Sequence, residues 1–157
     1  MIGDVIFVEG NGIVSYLIKK VTKGKFSHVA FYISDTLILE AEWNTRCRII
    51  DINETDYLQK NHSIIHVPLT DHQKNMLHVV IYQFLGKRYD FRLIFKLLLK
   101  YIFNITLKKD SPNEVICSEL IGHLLISLCV IDYSEFDVTV ASPSELYDRL
   151  YDKFGGD

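Results

Sequence analysis

Of the three cysteines in this chain, one has an address suited to chemistry. Cys117 lies in "VICSELIGHLLISL", at the head of an apolar ladder with helical spacing, so it falls in the first turn of a helix. A thiol there faces the positive end of the helix dipole, which favours the thiolate. Its own backbone N–H, unpaired in a first turn, is placed to hold an oxyanion. Cys129 comes later in the same apolar run and reads as a small core residue. Cys47, in "NTRCRI", stands between two arginines that would make it somewhat acidic, but neither a helix nor a base accompanies it.

A thiol nucleophile needs a base, and six histidines are available. His62, His72 and His78 sit in polar settings where a solvated imidazole is the default. His28 differs, because it begins the strand "HVAFYI", where it shares a face with Ala30 and Tyr32 while Val29, Phe31 and Ile33 point the other way. If Ser34, Asp35 and Thr36 form a three-residue loop, Ile33 pairs with Leu37, Phe31 with Leu39 and Val29 with Ala41, which sorts one wholly apolar face. The other face then sets His28, Ala30 and Tyr32 against Ile38, Glu40 and Glu42, so a carboxylate neighbours the imidazole. Such a pair is the base and orienting half of a thiol triad; the plain alternative is a surface hairpin with a chance glutamate near a histidine.

Other chemistries have less support. His62 and His66 in "HSIIH" are four apart, but the flanking isoleucines indicate a strand, on which that spacing does not converge on a metal. HExxH, CxxC, GxSxG and P-loop patterns are all absent. No cofactor is implied.

The elements that must position these groups fit one domain over 1–157, since 157 residues with 48% hydrophobic content supply an adequate core. The net charge of −3 argues against nucleic acid as a partner. No signal peptide is visible at "MIGDVIFVEG", and an odd number of cysteines argues against a disulfide framework, so a cytoplasmic protein with reduced thiols is expected. "DVIFVE", "SHVAFYI", "LILEAEW", "RIIDI" and "SIIHVPL" read as strands, and "IVSYLIKKVTK" as a helix. Thr70 and Gln73 have capping-box spacing ahead of a helix running to Leu85, with Gly86 ending it. "FRLIFKLLLKYIF", 91–103, is too short to span a bilayer. With Arg88, Arg92, Lys96 and Lys100 it makes either a core helix with a solvated basic face or a helix lying on an anionic surface. Pro143 opens a closing helix. Strands early and helices late give an α+β fold with a mainly antiparallel sheet and packed helices.

The ordered series "GDVIF", "SHVAFYI", "LEAE", "GKRYDF", "ICSELI" and "ASPSELYD" resembles the circularly permuted branch of the NlpC-type papain-fold peptidases, the YiiX-like hydrolases. The resemblance spans Gly3 to about Tyr147. It implies a permuted papain-like fold, Cys117 as nucleophile, His28 as base and Glu40 as the residue orienting the imidazole. It also implies that Tyr89 and Asp90 line the substrate pocket; the plain alternative is a packed tyrosine at a helix-ending turn. The reaction implied is hydrolysis of a peptide or cell-wall amide through an acyl-enzyme. An acyltransferase, a lipid esterase or thioesterase acting on an acyl-lipid substrate, and a non-catalytic binding module are the rivals. The insert "FRLIFKLLLKYIFNITLKKDSPNEV" before the cysteine is longer and more apolar than simple cell-wall forms need, which keeps an acyl chain in view.

Overall fold

The computed structural model describes residues 2–42, 45–89, 114–132, 134, 137–138 and 141–155. Strand β1 (Asp4–Val8) leads into helix α1 (Ile13–Thr22), followed by β2 (His28–Tyr32), β3 (Leu37–Glu40) and β4 (Arg48–Asp51). Two single 3-10 turns, Ile52–Glu54 and Tyr57–Gln59, precede β5 (His62–His66) and α2 (Asp71–Tyr82). The chain continues through β6 (Arg88–Tyr89), β7 (Glu114–Val115), α3 (Cys117–Ser127) and α4 (Pro143–Phe154).

The first five strands form one antiparallel sheet in the order β4-β3-β2-β1-β5. The α+β expectation therefore holds. β6 and β7 make a separate parallel pair that the sequence did not suggest. In the hairpin of β2 and β3, Phe31 lies opposite Leu39 and Tyr32 opposite Ile38, and Ile33 N–H donates to Leu37 O at 2.9 Å across the three-residue loop. The apolar sorting thus selected the observed register.

Every residue of β1 is buried, because both faces of the sheet are covered. On one face Val5, Phe7, Val29, Phe31 and Leu39 pack against α3 and α4. On the other, Ile6, Val8, Ala30 and Ile38 lie under Ile52 and Tyr57 of the 3-10 turns. A strand with two dry faces carries no polar alternation, which is why "VIFV" after Asp4 reads as a continuous apolar run. Along α3, Leu120, Ile121, Leu124 and Leu125 are fully buried, and each such side chain contributes about 1.5–3 kcal/mol. That helix is a rigid platform for whatever its first turn carries.

Two helix boundaries depart from expectation. The Thr70–Gln73 capping box forms, but α2 ends at Tyr82; the chain then tightens through 3-10 bonds, Phe84 N–H to Ile81 O and Lys87 N–H to Phe84 O, before Gly86 turns with φ +79. Cys129 is not a core residue of α3. The helix stops at Ser127, and Cys129 is exposed in the left-handed conformation (φ 54), with Val130 N–H closing back onto Leu125 O. That is a Schellman-type ending with cysteine where glycine is usual. Among the described residues no helix is long and apolar enough to cross a membrane.

Candidate functional site

Cys117 is the first residue of α3, and the N-cap Ile116 is extended with no side-chain cap. The first-turn N–H groups are therefore not consumed by a capping oxygen, the condition under which a helix start can receive an anion. Ser118, fully buried, donates from its hydroxyl to Ala141 O at 2.6 Å and ties this turn to the start of α4. There Ser142 and Glu145 form a capping box, and Ser144 Oγ accepts from Phe26 N–H at 2.9 Å. Ser27 N–H in turn donates to Val8 O at 3.0 Å. The segment "ASPSELYD" thus anchors the cysteine turn through Ala141 O and the residues immediately ahead of His28 through Ser144.

His28 is the first residue of β2, as Cys117 is of α3, and the two side chains meet at these ends. Its Nε2 lies 3.2 Å from Glu40 Oε2, and the same ring interacts with Cys117. Burial works against a charged ring. The hydrogen bonds and charges of Cys117 and Glu40 outweigh it and push the imidazole up to about 10. The ring carries its proton at neutral pH.

Glu40 is 0% exposed and held from three sides. Arg48, directly opposite on β4, donates to Oε1 from Nε at 3.0 Å and from Nη2 at 2.8 Å. Tyr57 donates its hydroxyl to Oε2 at 2.5 Å, and its ring lies 5.0 Å from that of His28. Burial opposes the carboxylate charge, but His28, Tyr57 and Arg48 prevail and hold the group down at about 2. Burial, reinforced by the same carboxylate, drives the Tyr57 hydroxyl well above its usual range, so Tyr57 remains a donor. Glu42 is not the partner; its carboxylate lies 3.7 Å from Arg48 Nη2.

The structure thus brings Cys117, His28 and Glu40 together and adds Arg48 and Tyr57, which sequence reasoning missed. Arg48 was legible as the residue facing Glu40 once β3 and β4 are paired. Tyr57, an aromatic in the polar run "NETDYLQKNH", was an unread sign that this loop folds back onto the sheet. Tyr89 lies on β6 beside Val115 of β7, next to the strand that delivers Cys117. Asp90 and the 91–103 segment lie outside the described residues. Cys47 is not acidic: it is buried, and desolvation, with Lys87 opposing and Glu40 adding, pushes it up to about 12. His28, Tyr57 and Lys60 face Val14, Ser15 and Ile18 of α1 across a small open cleft.

No family model and no curated protein matches the chain. Among solved structures it is similar to "metalloprotein yiiX" from Escherichia coli, with a TM-score of 0.65 at 18% identity, covering 100% of this chain and 83% of that one. At that identity the likeness shows a YiiX-like fold. That neighbour is described as a metalloprotein, and the described residues here do not fit a metal. Among the described residues no three His, Cys, Asp or Glu converge, and both oxygens of Glu40 already accept hydrogen bonds from Arg48, Tyr57 and His28.

Proposed function

We propose that this chain is a cysteine hydrolase with a circularly permuted papain-like fold of NlpC type, cleaving an amide of peptide or cell-wall kind. The observation that carries the reading is the geometry: His28 lies 3.2 Å from the buried Glu40 carboxylate and meets Cys117 at the start of α3. The Cys117 thiolate attacks the carbonyl carbon, and the oxyanion gathers at the uncapped start of α3. His28 gives its proton to the leaving amine as the C–N bond breaks, forming the acyl-enzyme. A water then attacks the thioester, passing a proton to His28; the acid leaves and the thiolate returns. Glu40 keeps the ring oriented and charged without itself taking the proton. Tyr89 and Asp90 are proposed to line the substrate pocket.

Alkylation of Cys117 by iodoacetamide at mildly acidic pH tests the pair. The native thiol reacts fast there, His28→Ala slows it at least tenfold, and Cys117→Ser abolishes labelling at that position. An unchanged rate in His28→Ala removes the histidine from the mechanism. Mass analysis of products from acyl donors, with and without an amine or alcohol acceptor, separates hydrolysis from acyl transfer.

A further inference from the structure

Helix α1 is strongly amphipathic, yet it contains no buried residue. Its inward side is built from Val14, Ser15, Ile18 and Thr22, all only partly buried, with Thr22 Oγ1 turned back onto Ile18 O at 2.9 Å. The outward stripe follows i, i+3, i+4, i+7 spacing: Ile13 is 82% exposed, Tyr16 57%, Leu17 39%, and Lys20 completes it. A helix serving only a core turns its apolar arc inward. This one turns much of it to solvent, at the rim of the cleft that Val14, Ser15 and Ile18 line from beneath.

The charge around the stripe points to its occupant. No acidic residue lies on α1, and Lys19 and Lys23 form no ion pair among the described residues; Lys20 only overhangs the Tyr16 ring, at 5.7 Å. In a chain of net charge −3 this basic rim is local. A two-fold pairing of copies through the same stripe would gather the lysines of both α1 helices at one interface with no acidic residue of either helix to pair with them, which opposes association. Apolar side chains flanked along one side by lysines suit the interface of an anionic bilayer, where the apolar groups enter the headgroup region and the lysines meet phosphates.

We infer that α1, through Ile13, Tyr16 and Leu17 framed by Lys19, Lys20 and Lys23, docks the protein on anionic lipid surfaces with the cleft opening toward the membrane. Docking is read without turnover, so it stands or falls separately from the proposed reaction. The full chain is sedimented with phosphatidylcholine vesicles with and without admixed phosphatidylserine. Binding is expected to the mixed vesicles, weakening with salt. The triple change Lys19→Gln, Lys20→Gln, Lys23→Gln should weaken it about 100-fold, at roughly fivefold per lysine. Ile13→Ser with Leu17→Ser should also weaken it, with Cys117 alkylation unchanged as evidence of an intact fold. Should the apolar pair misfold, the lysine variant still decides. Absence of binding, equal binding to both vesicles, or native-level binding by a folded variant overturns the inference. So does sedimentation equilibrium that shows a dimer dispersed by Ile13→Ser.

Discussion

Replacing Glu40 by glutamine keeps the shape of the side chain and removes its charge. In the native protein Oε1 accepts two hydrogen bonds from Arg48 and Oε2 accepts from Tyr57 and His28. Charge-assisted bonds of this kind are worth about 1.5–3 kcal/mol each, and stranding a buried charge costs about 3–5 kcal/mol. Two features lower that figure here. The Arg48 side chain is 40% exposed and can turn to water, so its share is screened, and His28 can shed its proton instead of remaining an unpaired cation. Tyr57 still finds the amide oxygen. Glu40→Gln is therefore expected to cost about 2–4 kcal/mol in urea unfolding at neutral pH, and to slow Cys117 alkylation at mildly acidic pH. Glu42→Gln, at a half-exposed side chain 3.7 Å from Arg48, should stay within about 0.5 kcal/mol and leave alkylation alone. If Glu40→Gln unfolds within about 0.5 kcal/mol of the native protein and alkylates at the native rate, the carboxylate is not what holds the histidine.

Tyr57→Phe removes the donor to Glu40 Oε2 while keeping the ring against His28; a loss of about 1–2 kcal/mol is expected, with the alkylation profile shifted in pH rather than abolished. Stability should fall at both ends of the pH range. Glu40, held at about 2 against an ordinary 4.5, contributes fully above 4.5 and loses that contribution as pH falls toward 2. His28, raised to about 10 against 6.5, contributes fully below 6.5 and loses it as pH rises toward 10. Urea midpoints across this range should therefore peak between 4.5 and 6.5, and His28→Gln should flatten the alkaline limb; an unchanged limb in that variant would assign it to other groups. Gly122→Ala sets helix propensity, a gain of about 1 kcal/mol, against a methyl placed 2.7 Å from Val138 Cβ, an atom no rotamer can move. Overpacking of about 1–3 kcal/mol should win and lower the melting temperature; a rise would show that the 137–138 segment yields freely.

Local patterns sufficed where one segment's own chemistry settles the outcome. Thr70 and Gln73 cap α2 because both partners lie in the same turn, and the β2–β3 register follows from apolar sorting across a short loop. Even the choice of Glu40 beside His28 was open to reasoning about one hairpin. Longer-range packing decided the rest. Cys47 looked acidic between two arginines, yet the fold seals its thiol in the core, where desolvation outweighs flanking charge. Cys129 looked like core, yet α3 ends two residues earlier and leaves it outside. Arg48 and Tyr57 enter the site because β4 pairs with β3 and a polar-looking loop closes over the second face of the sheet. That Cys117 meets His28 at all depends on α3 packing across β2 so that the first residues of both elements come to the same end, a contact between positions far apart in the chain that no local periodicity encodes.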